Sequence, residues 1–418
     1  MNLALCTPLH VNSAIGRASL LLATELERRE HLVTLINIEE EPPQQQTEAG
    51  SRESLWWKAP RANSALEAAD IIIVQIGDNF AYHAGAISIL ARYRCVGIFH
   101  DANLYNLFRM WAFSQCSIPD GQARHDQQIA AIYGEQADAG KSHDFLKWLA
   151  SQCTGALVHA DFYKAAVREH CPGPVAKAHL AYDARPVDAS PSPSDDFTLL
   201  TLGHINENKC CREVIEAIGA LPGREAVEYR LAGPIAVAEQ VRLRSIASSC
   251  GVRLTILGRV SDEEMSSELA KATVVCCLRR PVLEGASASA IEAMLSNRPI
   301  VVANDGFYAE ISDDAAVKLP ANFTVGDITQ VMERLISDES LRSSLGRRGY
   351  MWASEECSIS SYVSALESLV QEAVLATPHL ELARTYADQL SALGLDLRDE
   401  LSSDIADRLQ ALCFGSRP

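Results

Sequence analysis

Two glutamates frame a run of small side chains in the second half of the chain. Glu284 and Glu292 are separated by GASASAI and follow the apolar segment ATVVCCL. Small residues let backbone approach a ligand closely, and a helix that begins near Ser289 would point its unpaired N–H groups at that ligand. The pattern indicates a diphosphate site, in which Glu284 can accept hydrogen bonds from ligand hydroxyls and Glu292 can accept those of a ribose diol.

The same residues also fit a structure without a ligand. Ser289 and Glu292 have the S-x-x-E spacing of a capping box, in which the two side chains satisfy N–H groups at the start of a helix. That interpretation accounts for Glu292 and leaves Glu284 unexplained, so both interpretations stay open on spacing alone.

Candidate polar residues also follow strand-like segments in the first half. His100 and Asp101 come directly after VGIF, and Gly16 lies between the first strand-like segment and the first helical one. His100 could contact a ligand or be a buried structural histidine bonded to a carbonyl. Gly16 could equally be an ordinary glycine at a helix start.

The elements that must position these residues are short apolar strands alternating with segments of helical period. This alternation is typical of parallel sheets covered by helices on both faces. It is interrupted by AYDARPVDASPSPSDDF, residues 181–197, which has no period and reads as a linker, and it restarts afterwards. The sequence therefore predicts two doubly wound α/β domains, with ligands bound beyond the carboxyl ends of their strands.

Further helices are predicted at the end of the chain. Residues 325–372 have helical character throughout, and 373–418 add more sequence of this kind. We expect the last segment to pack on the first domain or to mediate self-association. Its acidic balance disfavours a lipid-headgroup anchor.

Composition excludes several classes of protein. A formal net charge of −17 is unfavourable for a nucleic-acid binder. The 12 cysteines form no C-x-x-C pair, which indicates free thiols in a reducing compartment. The N-terminus lacks the basic region of a secretory signal, and no apolar stretch is long enough to span a membrane. We expect a cytoplasmic protein.

The spacing Glu284-x7-Glu292, followed by AIEAMLSNRPIVVANDG, resembles the signature of retaining glycosyltransferases of family 4, which have the GT-B fold. The form CLRRP resembles a bacterial branch involved in polysaccharide and O-antigen assembly, and the likeness extends over roughly residues 1–370. The resemblance implies two Rossmann-like domains facing a cleft, with C-terminal helices. Residues 1–185 would form the acceptor-side domain and 197–355 the nucleotide-sugar domain, while the first helix of 356–418 would cross back to the first domain.

The resemblance also implies roles for the loop residues. Glu292 would hold the nucleotide ribose and Glu284 the donor-sugar hydroxyls. Backbone amides of the loop would hold the sugar and diphosphate; the loop consists of Gly285, Ala286, Ser287 and Ala288.

A second motif, GHINENK, resembles the family's G-R-x-x-x-x-K segment. It puts Lys209 where the family neutralises the donor phosphates, although a lone lysine could equally be solvated at a helix start. His204 stands where arginine is usual, and a histidine lacks the bidentate fork of a guanidinium. Arg212 or Arg280 could supply the missing charge.

In the first domain, the resemblance puts Gly16 where donor and acceptor are admitted. His100 matches a histidine that contacts the transferred sugar, and Asp101 would orient His100 or receive the acceptor. Asn79 and His83 are weaker acceptor-side candidates.

The implied reaction moves a hexose-type sugar from a GDP-, UDP- or dTDP-linked donor to a hydroxyl of a glycan or glycolipid, with retention of configuration. The chain has no D-x-D motif, so we expect neither a metal nor a cofactor besides the donor. The expected partners are the nucleotide sugar and its acceptor, with peripheral membrane or enzyme-complex association and a homo-oligomer through the tail as further possibilities.

Two alternatives remain. A GT-B epimerase or hydrolase would share the donor loop but needs acid/base residues facing the sugar, a role open to His100 and Asp101. A non-catalytic sugar-nucleotide-binding scaffold subunit is suggested by His204 and by the tail.

Overall fold

The computed structural model describes residues 1–42 apart from Asn12, 52–116, 145–182, 197–392 and Arg408. Within these residues the chain forms a seven-stranded and a six-stranded sheet, and all strand pairs are parallel. Helices connect most of the successive strands, as parallel pairing requires. This confirms the predicted pair of doubly wound α/β domains.

The first sheet has the strand order β3-β2-β1-β4-β5-β6-β7. Its strands are β1 (Asn2–Thr7), β2 (Leu32–Asn37), β3 (Ser54–Trp56), β4 (Ile71–Ile76), β5 (Cys95–Phe99), β6 (Cys153–Val158) and β7 (Val175–Lys177). The central strands are apolar on both faces, as in the run IIIVQI of β4, because helices cover both sides of the sheet.

The second sheet has the order β10-β9-β8-β11-β12-β13. Its strands are β8 (Phe197–Leu202), β9 (Val227–Ala232), β10 (Arg253–Gly258), β11 (Val274–Cys276), β12 (Ile300–Ala303) and β13 (Val317–Leu319). The strand order reverses between β8 and β11, and ligands of such sheets bind at this switch point.

Helices alternate with these strands in both parts of the chain. In the first part of the chain they are α1 (Ala14–Arg28), α2 (Pro60–Ala68), α3 (Phe80–Arg92), α4 (Tyr105–Cys116), α5 (Phe145–Ser151) and α6 (Asp161–His170). In the second part they are α7 (Cys211–Gly219), α8 (Val237–Cys250), α9 (Asp262–Lys271), α10 (Ala288–Leu295), α11 (Val325–Ser337), α12 (Glu339–Glu356) and α13 (Ile359–Ala392). Short 3₁₀ turns occur at Glu207–Lys209, Arg224–Ala226 and Gly306–Glu310.

The last helix, α13, packs against the first sheet. Its apolar side chains Val363, Leu366 and Val370 recur at helical spacing and are buried in one cluster with Leu3 and Leu5 of β1. Burial of this apolar stripe stabilises the packing of α13 on the first domain, although α13 follows the second domain in the chain. The boundaries predicted for the three domains stay a prediction.

Two predicted features lie largely outside the described residues. The linker 181–197 is described only at its ends, and of the tail 373–418 only 373–392 and Arg408 are described. Within the described part of the chain, no helix is long and apolar enough to cross a membrane.

Candidate functional site

The donor loop ends at the first residue of α10. The N-cap is Ser287, whose hydroxyl accepts a hydrogen bond from the Ala290 N–H, so the helix begins slightly earlier than predicted. Ser289 does not form the capping box that its spacing also allowed, because Ser287 is the N-cap and the Ser289 hydroxyl donates to the Leu202 carbonyl at 3.4 Å. Glu292 instead accepts a hydrogen bond from the Tyr182 hydroxyl at 3.4 Å. Its carboxylate therefore lies on the side of α10 that faces Tyr182.

Glu284 is held by a neighbouring arginine that the sequence analysis did not select. The Arg279 guanidinium lies 2.7 Å from the Glu284 carboxylate and 3.1 Å from the Tyr308 hydroxyl. The Arg279 side chain is 11% exposed, whereas Glu284 is 32% exposed and retains access to the cleft. The ion pair fixes the carboxylate in one orientation.

Arg280, one of two arginines that could have supplied phosphate charge, is engaged on the other side of the loop. Its guanidinium donates to the Phe323 carbonyl at 2.6 Å and stacks 3.9 Å from the centroid of the Phe323 ring. Arg212 likewise pairs with Glu216 at 2.8 Å on the exposed face of α7. The structure therefore brings neither arginine to Glu284, because each has a partner within its own surroundings.

Lys209 is buried, so the interpretation as a solvated lysine is wrong. Its side chain lies on the short turn after β8, is 5% exposed, and donates to the Leu202 carbonyl. A Cβ on Gly203 would lie 3.3 Å from the Lys209 ammonium and 3.1 Å from the Ser289 hydroxyl. Burial, reinforced by the Arg279 charge, lowers the pKa of Lys209 to about 8.

Lys209 and Glu284 lie close together because of where their strands end. Lys209 follows β8 and Glu284 follows β11, and these strands are neighbours on either side of the switch point. The ammonium of Lys209 and the N-terminus of α10 thus meet at one edge of the sheet, which is an arrangement suited to a diphosphate. His204 lies exposed on the same loop as Lys209.

The first domain contacts the donor loop directly. Asp101 and Glu284 form an antiparallel bridge, the Gly285 N–H donates to the His100 carbonyl at 2.8 Å, and the Ala102 N–H donates to the Leu283 carbonyl at 3.0 Å. A Cβ on Gly285 would lie 2.3 Å from the hydroxyl of Tyr163, so glycine is required here. We call these contacts between residues 100–102 and 283–285 the interdomain bridge.

The imidazole of His100 makes its hydrogen bonds within the first domain. Its Nε2 lies 2.6 Å from Oε1 of Gln75, and its Nδ1 lies 3.2 Å from Nε2 of His159. Burial, together with the nearby His159 and His83, lowers the pKa of His100, which keeps the ring neutral near pH 7. His100 therefore meets the donor loop through its backbone carbonyl.

The three acceptor-side candidates, His83, Asn79 and Asp101, have structural contacts. His83 is 1% exposed and its Nδ1 lies 3.0 Å from the Gln75 carbonyl. The ring therefore does not reach the cleft, contrary to the prediction. Asn79 is exposed and caps α3 by accepting from the Ala81 N–H at 3.1 Å. Burial raises the pKa of Asp101 to about 7, although the Asp78 N–H donates to its carboxylate at 2.8 Å.

The start of α1 lies across the cleft from the donor loop. Ser13 caps this helix by accepting from the Gly16 N–H at 3.0 Å, and a Cβ on Gly16 would lie 2.7 Å from the Pro8 carbonyl oxygen. A cavity of about 330 Å³ extends along the helix. Residues that line it include Ala14, Ile15, Arg17, Ala18, His100, Tyr182 and Ala288.

Glu310 joins the domains at a second place, which sequence patterns alone did not reveal. The helix α6 has no side-chain cap of its own, and the Glu310 carboxylate of the second domain accepts from the N–H of Asp161 at its first turn. The other oxygen lies 3.0 Å from the Lys177 ammonium, which also pairs with Asp161 at 2.6 Å. Glu310 therefore caps a helix of the other domain.

Replacing Glu310 by alanine is expected to lower the free energy of unfolding by about 1–2 kcal/mol, because a helix cap and an ion pair are lost together. It should also increase the radius of gyration, since one of the described links between the domains is removed. Denaturant unfolding and small-angle X-ray scattering measure the two effects. Glu333→Ala, at an exposed position of α11, is the control; equal behaviour of the two variants would contradict this role.

Comparison with known proteins identifies the second domain. Residues 186–352 match the family described as glycosyl transferases group 1. The MMP alpha-(1->4)-mannosyltransferase of Mycolicibacterium hassiacum is 32% identical over 117 residues. That alignment covers 28% of this chain and only 28% of the relative's length.

Solved structures resemble nearly the whole chain. Sucrose-phosphate synthase from Thermosynechococcus elongatus has a TM-score of 0.64 at 12% identity, over 89% of this chain and 98% of that one. HepE of Anabaena, in complex with UDP-glucose, has a TM-score of 0.62 at 16% identity, over 89% of this chain and 100% of that one. At these identities the likeness shows the fold, which is GT-B.

Proposed function

We propose that this chain, whose residues 186–352 match the group 1 glycosyl transferases, is a retaining family 4 glycosyltransferase. It would move a hexose-type sugar from a nucleotide-diphosphate donor to a hydroxyl of a glycan or glycolipid, in bacterial surface polysaccharide synthesis. The observation that carries the proposal is the meeting of Lys209, Glu284 and the N-terminus of α10 at the switch point of the second sheet. We place the protein in the cytoplasm, at the inner face of the membrane when it meets a lipid-linked acceptor.

Names of similar proteins supply candidates for the donor. HepE of Anabaena was solved with UDP-glucose, and the M. hassiacum relative is a mannosyltransferase. UDP-sugars and mannose donors are therefore the first to test.

The proposed mechanism is a front-face transfer. The bond from the anomeric carbon to the diphosphate breaks, the acceptor oxygen bonds to that carbon from the same face, and the departing phosphate takes the acceptor's proton. Lys209 and the N-terminus of α10 would stabilise the negative charge that develops on the diphosphate. These groups can act without a metal ion, which is part of the proposal.

The two glutamates fit binding roles in this mechanism. Glu284 is ion-paired with Arg279, which would hold its carboxylate in position to accept hydrogen bonds from sugar hydroxyls. Glu292, beside Tyr182, would accept hydrogen bonds from the ribose. Both would act as hydrogen-bond acceptors, not as the acid and base of a glycosidase.

An epimerase or hydrolase remains the second candidate because of Asp101. A carboxyl group whose pKa is about 7 can exchange protons near neutrality, and Asp101 bridges to the donor loop at Glu284. Product analysis separates the two: a free or epimerised sugar without any acceptor favours this candidate over the transferase.

The proposed function predicts selective binding of one nucleotide family. Calorimetry against UDP, GDP, dTDP and CMP, with and without EDTA, should show metal-independent binding of one of them. Glu292→Ala should weaken it at least about tenfold, since two charge-assisted hydrogen bonds to the ribose are lost.

Glu355→Ala, at an exposed position of α12, is the matched control and should bind as the wild type does. Binding that requires a divalent metal would overturn the metal-independent part. The absence of any nucleotide binding would remove the transferase assignment.

A further inference from the structure

The cavity of about 330 Å³ follows one face of α1. Ala14, Ala18 and Leu21 line it and recur at the helical spacing i, i+4, i+7, and Thr24 lines it three residues further on. At 1.5 Å per residue, the part of α1 that borders the cavity is about 15 Å long. The cavity is therefore long enough to hold an extended part of a small ligand.

Most of the described lining is aliphatic. Ile15, Leu20 and Leu180 add branched side chains to those of Ala18 and Leu21, and all of them are only partly buried. A different set of α1 side chains packs in the core of the first domain; it includes Leu22, Ala23 and Leu26. The aliphatic wall of the cavity thus comes in addition to the side chains that hold α1 on its sheet, and contact with water is unfavourable for it.

The cavity borders the donor loop. Ala288, the first residue of α10, lines it, and so does His100, whose carbonyl accepts from the Gly285 N–H. Lys209 and Glu284 are not among the described residues of the lining. A ligand in this cavity would therefore lie next to the proposed donor without taking the place of its diphosphate.

The lining distinguishes between the parts of the substrates that could enter. A sugar ring or a nucleobase needs several hydrogen-bond partners when it leaves water. The polar residues of the described lining are Arg17, Thr24, His100 and Tyr182. The ring nitrogens of His100 already bond to Gln75 and His159. An aliphatic chain needs no such partners, and its burial against aliphatic walls is favourable by itself.

We propose that this cavity binds an aliphatic chain of the acceptor, so that the acceptor is an amphipathic glycolipid and not a free glycan. This inference rests on the proposed function and narrows the acceptor named there. The polar part of the acceptor would present its hydroxyl at the donor loop, beside His100 and Ala288, while the aliphatic part lies along α1. The first domain thus selects the acceptor by its apolar part, and the second domain binds the donor.

The test measures the binding of butyl, hexyl and octyl β-D-glucoside by calorimetry, at concentrations below micelle formation. In the wild type the affinity should rise about fourfold for each added methylene, as expected for a CH₂ group that becomes buried. Ala18→Phe fills the cavity and should remove this dependence on chain length. Val241→Phe adds the same side chain at an exposed position of α8 in the second domain and should leave the dependence unchanged.

Two further measurements separate a filled cavity from a damaged protein. Thermal unfolding checks that Ala18→Phe is folded, and its affinity for UDP, GDP and dTDP should stay within about threefold of the wild type, because Ala18 is not one of the proposed nucleotide contacts. If Ala18→Phe does not fold, Leu21→Asn replaces it. An amide in the aliphatic wall should lower octyl-glucoside affinity about tenfold and butyl-glucoside affinity less.

The outcomes separate this inference from the proposed function. If the wild type binds a nucleotide but its affinity for the glucosides does not change with chain length, the inference is overturned and the proposed function stands. The same holds if Ala18→Phe keeps the dependence on chain length. It holds also if nucleotide affinity falls as much as octyl-glucoside affinity, because the cavity then belongs to the nucleotide. If the wild type binds none of the nucleotides, the assignment of an acceptor falls with the proposed function.

Discussion

Lys209→Met is expected to reduce turnover with the donor sugar by about 10²–10³-fold, the effect of removing one preorganised charge from a transition state. The Lys209 ammonium is buried at the edge of the second sheet, beside the start of α10, where screening by water is weak. Methionine keeps the length of the side chain and fills the same space. The expected loss is in kcat more than in nucleoside affinity.

The pH dependence provides the control for this expectation. Burial lowers the pKa of Lys209 to about 8 in the free protein, and a bound diphosphate favours the charged form and raises that pKa. Affinity for the nucleoside diphosphate should therefore be constant below about pH 7 and fall by up to about tenfold per pH unit above pH 8. Lys209→Met should remove this dependence; a wild-type affinity that stays constant from pH 7 to 9.5 would contradict the assignment.

Arg279→Leu is expected to lower kcat/KM for the donor by about 10²-fold, because Glu284 loses the guanidinium that orients its carboxylate toward the sugar. The neighbouring Arg280 provides a sharp comparison. Arg280→Lys should cost stability, through the lost contacts with Phe323, while turnover stays within about threefold of the wild type.

Steady-state kinetics and thermal unfolding of both variants test whether Arg279→Leu has the larger kinetic defect. Arg279→Leu leaves a carboxylate that is 32% exposed, so partial hydration limits the expected loss of stability. A larger kinetic defect in Arg280→Lys than in Arg279→Leu would reverse the assignment of the two arginines.

The fold was accessible from the sequence because its signals are local. The run IIIVQI of β4 is apolar at every position except Gln75, and the stripe Val363, Leu366, Val370 of α13 has helical spacing. Each pattern specifies one element, and the alternation of such elements limits the topology to a doubly wound sheet. The site at the carboxyl ends of β8 and β11 follows from the same rule.

Other features of the site depend on contacts between distant segments. Of two adjacent arginines, Arg279 faces Glu284 and Arg280 faces Phe323. The backbone conformation of the loop after β11 determines which side chain points each way. Lys209 and Ser289 come from separate segments and both lie beside Gly203, and the cap supplied by Glu310 belongs to a helix of the other domain. No periodicity within one segment encodes such pairings.

The interdomain bridge also limits how this protein can be re-engineered. A hybrid protein can be made by exchanging the whole first domain for that of another GT-B protein. In this chain such an exchange would remove three groups that border residues 283–285: the His100 carbonyl, the Ala102 N–H and the Tyr163 hydroxyl. A working hybrid would have to keep residues 99–102 and Tyr163 together with the second domain. The unit to be transferred is therefore larger than the second domain alone.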